Sequence, residues 1–305
     1  MPVTAIVMTE ANDNAPLLRP DSLPLPSGAA RVAGVIGWPV AHSRSPRLHG
    51  YWLREHGIDG LYVPLAVAPE TAEQALRALP ALGFAGANVT VPHKELALRV
   101  CDSLTERARR AGSVNTLVVE DGGLRGDTTD GFGFLENLRH GVPDWRAEAG
   151  PAVVLGAGGS ARAVCAALLE AGAPEIRLLN RTPARAEALA AALGGPITVA
   201  PLVEAARALE GAALLANTTT LGMQGQPALD LDLAALAPEA VVTDLVYVPL
   251  ETPLLAAARA RGHRVVDGLG MLLHQARPGF AAWFGVEPAV TDDLRRAVLD
   301  GRGDD

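Results

Sequence analysis

Cysteine is nearly absent from the 305-residue chain, which holds only Cys101 and Cys165. Two thiols in apolar helical surroundings cannot build a disulfide framework. They read as small buried hydrophobes of a protein kept in a reducing compartment. Cationic charge is also short: 26 Lys and Arg stand against 34 Asp and Glu, a formal net charge of −8. Nothing in that balance suggests a nucleic-acid footprint, and the scattered arginines read as solvated helix faces. No apolar run reaches the roughly 18 residues that a membrane span needs. The first residues lack a basic segment followed by an apolar core, so no secretory signal is expected and the setting is cytoplasmic. The seven histidines form no i, i+4 pair and no Cys/His cluster, which argues against a zinc site. No G-x-S-x-G occurs, so hydrolysis by an elbow serine is not expected.

What remains is an apolar fraction of 49%, dominated by Ala, Leu and Val, in a chain long enough for two cores. Residues 1–30 hold several prolines and no sustained periodicity, and read as a flexible N-terminal extension. From Arg31 onward, β-type runs alternate with helical stretches: VAGVIG (32–37), LYVPLAV (61–67), GANVTV (86–91) and VNTLVVE (114–120). The polar, turn-rich PDWRAEAG (143–150) interrupts them. A second series follows, with runs at 152–157, 175–180, 197–200, 213–217, 241–246 and 264–268. Such alternation predicts an α/β protein with mainly parallel sheets. The last apolar stretch, 269–285, reads as a helix with Pro278 inside it or at a break.

The chemistry starts at VVLGAGGSARAV (153–164), a strand, a tight turn and a helix start. Gly156-x-Gly158-x-x-Ala161 fits the dinucleotide fingerprint. The first glycine permits the turn, the second admits a pyrophosphate, and the small third residue lets helix and strand pack closely. The helix start offers free N–H groups to phosphate, and Ser160 reads as a further donor. The next strand ends at Asn180, 24 residues after Gly156, close to the ~20 expected for the residue that reads the ribose. An NAD reader has an acid there. This chain has Asn180-Arg181-Thr182 and then Arg185, with no acid from Arg177 to Ala186, so NADP is favoured.

NVTVPHK (88–94) sets Lys94 at the start of a helix after a strand, the edge where α/β folds hold ligands. Pro92 reads as the first helical residue. In GDTTDGFG (126–133), Asp130 lies in a Gly-flanked turn and suits a helix N-cap. As a calcium loop the stretch fails, because the first and twelfth ligand positions are Gly126 and Asn137.

Together these blocks resemble the shikimate dehydrogenase family. The resemblance runs from about Arg31 to Gly285, in the family's order: HSRSPRLH (42–49), NVTVPHK, SVNT (113–116), GDTTDG, LGAGGSARAV, NRTPARA (180–186), NTTTLGM (217–223), DLVYVPLETPLL (244–255) and GLGMLLHQARPGFAAW (268–283). It implies NADPH-dependent reversible reduction of 3-dehydroshikimate to shikimate, on the route to aromatic amino acids. It also implies a Rossmann-type doubly wound NADP-binding domain at 132–270 and an α/β substrate domain at 31–131 plus 271–305, with the cleft between them. A homodimer is compatible with it.

Residue by residue, the resemblance makes Lys94 and Asp130 the catalytic pair. Ser43 and Ser45 would bind the substrate carboxylate, with Thr90, Asn115, Tyr247, Met271 and Gln275 around the same pocket. Gly156, Ala157, Gly158, Gly159, Ser160 and Ala161 would hold the pyrophosphate, and Asn180, Arg181, Thr182 and Arg185 the 2′-phosphate. Leu245 and Gly268 would lie along the nicotinamide half, with Glu106 on the cofactor side. Thr128, Arg44 and Gly50 depart from the usual family pattern, and none touches the matched catalytic or serine positions. Two alternatives stay open. One is a quinate/shikimate dehydrogenase or another paralogue. The other is a non-catalytic ligand sensor on the same scaffold, against which the intact Lys94 and Asp130 speak.

Overall fold

The structure, a computed structural model, describes residues 25–300. Most of the expected N-terminal extension therefore lies outside the described residues, as do 301–305. Residues 25–30 form coil and a turn, tied down where the Ser27 backbone N–H donates to the Asp59 carboxylate at 3.0 Å.

The first half runs β1 (Arg31–Gly37), α1 (Ser45–Glu55), β2 (Gly60–Ala66), α2 (Ala72–Ala78), β3 (Phe84–Val89), α3 (Lys94–Val100), β4 (Ser103–Leu104), α4 (Glu106–Ala111), β5 (Thr116–Glu120), β6 (Gly123–Asp127) and α5 (Asp130–Gly141). The second runs β7 (Ala152–Leu155), α6 (Gly159–Glu170), β8 (Ile176–Asn180), α7 (Pro183–Leu193), β9 (Ile197–Pro201), α8 (Ala205–Leu209), β10 (Leu214–Asn217), β11 (Val241–Asp244), α9 (Pro253–Ala260), β12 (Arg264–Val266), α10 (Gly268–Phe284) and α11 (Asp292–Leu299).

Two six-stranded sheets result. The second has the order β12-β11-β10-β7-β8-β9 and is parallel throughout. That is the doubly wound dinucleotide order, with β7 and β10 beside the switch point where ligands bind. Its central strands are buried on both faces, as AVVL and LLAN require. The first sheet has the order β2-β1-β3-β5-β6-β4. It is mainly parallel, but β5 pairs antiparallel with both β3 and β6. The strand expected at 114–120 starts only at Thr116, because Asn115 turns its amide into a polar network instead.

Each sheet is covered on both faces. Trp52, Phe280 and Trp283, from α1 and α10, fill one side of the first sheet; Leu76, Ala97 and Ala108, from α2, α3 and α4, fill the other. Burying one such large apolar side chain contributes about 1.5–3 kcal/mol. The buried indoles are also satisfied: Trp52 Nε1 donates to Ala289 O and Trp283 Nε1 to Leu117 O, both at 2.9 Å. On the second sheet, α5 and α6 pack Phe134, Leu138, Val164 and Leu168 over one face.

Helix α10 follows the second sheet in the chain but packs on the first. It is one helix with Pro278 inside it. Crossing it, α5 packs on the second sheet although it follows the first. The two helices meet through glycines. A Cβ on Gly133 would lie 2.7 Å from Met271 O, and one on Gly270 would lie 1.8 Å from Asn137 Oδ1. The sequence-derived domain junctions, after 131 and after 270, fall in the first turns of these two helices.

Candidate active site

Residues that follow strands of both sheets line one cleft: Thr90 after β3 and Asp130 after β6 of the first, Leu245 after β11 and Gly268 after β12 of the second. Lys94 is the first residue of α3 and Asp130 the first of α5. They face each other, with Lys94 Nζ 2.6 Å from Asp130 Oδ2 and side chains only 25% and 11% exposed. Two sequence details are corrected here. Pro92 precedes the helix, which has His93 at its cap, and the residue capping α5 is Thr129 rather than Asp130.

Asp130 is held from its other side too. Asn115 Nδ2 donates to Asp130 Oδ1 at 2.7 Å and to Gln275 Oε1 at 3.1 Å. Asn115 Oδ1 accepts from the Thr129 backbone N–H at 2.9 Å. Gln275 Nε2 donates to Leu272 O at 3.2 Å, which orients its amide. The carboxylate of Asp130 thus has a fixed plane and one strong cation partner.

Around this pair the cavity is lined by Ser43, Ser45, Thr90, Tyr247, Met271 and Gln275, with Asn88, Arg44, Leu245, Gly268 and Ser160. Ser43 Oγ accepts the Ser45 backbone N–H at 3.3 Å, so its own hydroxyl proton points elsewhere and can be donated. Gly37 leaves room for Thr90, since a Cβ there would sit 2.4 Å from Thr90 Cγ2. Met271 and Gln275 are one turn apart on α10 and so share its face. Gly268 backs onto Leu245, where a Cβ would come within 2.3 Å of the Leu245 carbonyl oxygen. Above the pocket, Arg44 places its guanidinium carbon 5.4 Å from the centre of the Tyr247 ring. Burial pushes the Tyr247 phenol up, opposed in part by Arg44.

Asn88 received no role in the sequence reading, although it begins NVTVPHK. Its Oδ1 accepts from Tyr62 OH at 2.6 Å, and its Nδ2 donates to Asn115 O and Thr116 Oγ1, both at 3.2 Å. The available signal was a lone amide inside an apolar strand, a position that must find partners.

A second cavity adjoins the first and shares Lys94. It is lined by Ala157, Gly158, Gly159 and Arg185, with Arg162 and Ser113. Gly156 has φ +108, a conformation that L side chains avoid, and a Cβ there would meet Thr218 Oγ1 at 2.8 Å. A Cβ on Gly158 or Gly159 would meet nothing within 4 Å. Above the turn there is therefore open room, facing the first N–H groups of the 12-residue α6. Ala161 is fully buried where helix and strand close up. These features fit a dinucleotide.

The structure does not gather every expected cofactor residue. Arg185 lines the cavity, but Asn180, Arg181 and Thr182 lie outside its lining. Asn180 Nδ2 donates to Thr182 O at 2.8 Å, and Arg181 and Thr182 are exposed. Glu106 lies on the exposed first turn of α4, paired with Arg109 at 3.6 Å and Arg110 at 3.3 Å, and lines neither cavity.

A parallel dinucleotide-type sheet facing an α/β substrate domain across a lysine–aspartate cleft defines a two-domain, nucleotide-dependent oxidoreductase. The family description "Shikimate dehydrogenase substrate binding domain" matches residues 35–117, and "Shikimate / quinate 5-dehydrogenase" matches residues 144–221. The shikimate dehydrogenase (NADP(+)) of Rhodospirillum rubrum is 72% identical over 278 residues, 90% of this chain and 98% of the relative. That of Paramagnetospirillum magneticum is 66% identical, covering 90% and 99%. Among solved structures, shikimate 5-dehydrogenase from Thermus thermophilus in complex with NADP(H) and shikimate has a TM-score of 0.80 at 39% identity, covering 88% and 99%. Quinate dehydrogenase from Corynebacterium glutamicum with NAD has a TM-score of 0.82 at 30% identity, covering 89% and 99%. The chain belongs to the shikimate dehydrogenase family.

Proposed function

We propose that the chain catalyses the NADPH-dependent, reversible reduction of 3-dehydroshikimate to shikimate. The observation that carries this is the Lys94–Asp130 pair at 2.6 Å, set where the serine-lined cavity meets the glycine-turn cavity. When bound, NADPH supplies the hydride.

This chain's residues supply the rest. Ser43 and Ser45 bind the substrate carboxylate through their hydroxyls, and Thr90, Asn88 and Tyr247 contact the ring. Lys94 stands at the reacting oxygen, stabilises the negative charge that builds there and passes it a proton. Asp130 orients the ammonium through Oδ2 and accepts a hydrogen bond from the substrate hydroxyl. Asn115 and Gln275 hold the plane of that carboxylate. Leu245, Gly268 and Met271 line the apolar side of the serine-lined cavity, where they would lie along the nicotinamide. The turn from Gly156 to Ser160 receives the pyrophosphate, and Arg185 the 2′-phosphate. Arg181 closes over the same phosphate from the exposed side.

Turnover of shikimate and quinate with NADP and with NAD, followed by absorbance of the reduced nicotinamide, tests the reading. Shikimate with NADP should be preferred; preference for quinate with NAD would overturn it. Lys94→Ala should lower turnover by roughly 10²–10⁴-fold. NADPH binding should persist, and turnover at the wild-type level would remove Lys94 from its role.

A further inference from the structure

We infer that Arg162 is a cofactor-binding residue that grips the pyrophosphate while lying across the opposite domain. This deepens the NADP reading above and rests on it. Arg162 is the fourth residue of α6, one turn beyond the glycine turn. Its guanidinium lies flat against Gly112, the left-handed residue that ends α4 with φ 60. A Cβ on Gly112 would fall 2.7 Å from Arg162 Cζ and 2.9 Å from one terminal nitrogen. Glycine is thus needed there for two reasons, the backbone turn and the seat for the guanidinium.

Arg162 Nε is buried and has no hydrogen-bond partner among the described residues. A permanently charged donor held in that state wants an acceptor. The cavity that Arg162 lines offers space and cations: Arg185 joins it, with Lys94 beside its partner Asp130, and Glu95 is the one acid in its lining. The same cavity holds Gly158 and Gly159, above which there is open room at the start of α6. A planar fork beside a helix N-terminus is matched to a group with two anionic phosphoryl centres. A 2′-phosphate belongs farther out, beside Arg185 on α7.

The two cofactors share the pyrophosphate and differ in the 2′-phosphate, and this separates the roles. Dissociation constants for NADPH and NADH are measured by nicotinamide fluorescence on wild type, R162Q, R162K and, as reference, R185Q. R162Q should weaken both cofactors by a similar factor, roughly tenfold to a hundredfold. R162K, which keeps the charge and loses the fork, should recover part of that loss for both. R185Q should weaken NADPH selectively. The thermal midpoint of ligand-free R162Q and its affinity for shikimate should stay at wild-type values. Unchanged affinity for both cofactors in R162Q and R162K overturns the inference, with or without a lower thermal midpoint. So does a loss confined to NADPH, which would place Arg162 at the 2′-phosphate. Should R162Q fail to fold, R162K decides by the same criteria. Wild type that binds neither cofactor would overturn the functional reading itself.

Discussion

His49, on α1, is fully buried, its ring stacked on Tyr62 with centroids 3.9 Å apart. Among the described residues, no side chain comes close enough for a well-formed hydrogen bond to either ring nitrogen, and the nearest polar group, the Asn88 amide, opposes the effect of burial only in part. Burial pushes its pKa down from 6.5 to about 3. The unfolded chain therefore takes up a proton near pH 6.5 that the folded chain refuses until about 3. Stability from this group is present above 6.5 and is lost as pH falls through that window. At about pH 5 the loss should be about 2 kcal/mol. His49→Phe keeps an aromatic ring in the stack and removes the titration. Urea unfolding at neutral pH and at about pH 5 should show wild type losing more stability than the variant by about that amount. Equal losses would mean that His49 does not carry the effect.

The basic tip after β8 gives the second test at this scale. Arg185 lines the cofactor cavity and Arg181 is exposed beyond it. Arg185→Gln should raise the NADP dissociation constant roughly tenfold or more with little change for NAD. Arg181→Asp should act in the same direction. Equal loss for both cofactors would make the tip a structural support and not a reader of the 2′-phosphate. Asn180 itself closes the strand end, its amide donating to Thr182 O.

Among elements, the crossing of α5 and α10 fixes the site most directly, because Asp130 opens one helix and Met271 and Gln275 ride on the other. Their contact tolerates no side chain at Gly133, where a Cβ would meet Gln275 Cβ at 2.5 Å and Met271 O at 2.7 Å. Gly133→Ala should destabilise the fold by about 1–3 kcal/mol. It should also raise the KM for shikimate more than that for NADP, since the displaced residues line the serine-lined cavity. Chemical unfolding and steady-state kinetics check the two halves; unchanged stability would refute the close contact. Elements of strong pattern were legible: AVVL, LLAN and IRLLN became strands, and ARAEALAAAL became α7. The strands β4 and β6 were not. GLRGD carries two glycines and two charges, and Ser103–Leu104 is only two residues long. Pairing with neighbours makes them strands, and no local propensity announces it.

For the whole molecule, Arg44 and Tyr247 join the two domains over the substrate pocket. Arg44 precedes α1 beside the first sheet, and Tyr247 follows β11 of the second. A cation over an aromatic face is worth about 0.5–2 kcal/mol. Arg44→Ala should therefore raise the KM for shikimate roughly 2–30-fold and leave that for NADP near its original value. A parallel rise in both would point to general unfolding of the cleft and away from a clasp on the substrate side.

The order of β-type and helical runs, the glycine turn at Gly156 and the absence of an acid from Arg177 to Ala186 were determined by the sequence alone, because each is a local matter of periodicity, backbone freedom or charge. Lys94 stood out in the same way, at a helix start after a strand, and Asp130 in a Gly-flanked turn, while their pairing was implied only by the family resemblance. Only the tertiary structure decided that the two lie 2.6 Å apart, although 36 positions separate them along the chain, and that Gln275, 160 residues beyond Asn115, shares their network. It also decided which of the basic residues after β8 lines the glycine-turn cavity, and that Arg162 rests on Gly112. Such distances are set by how two sheets and the α5–α10 pair close on one another. Packing of that kind depends on residues far apart in the chain, so no single stretch records it.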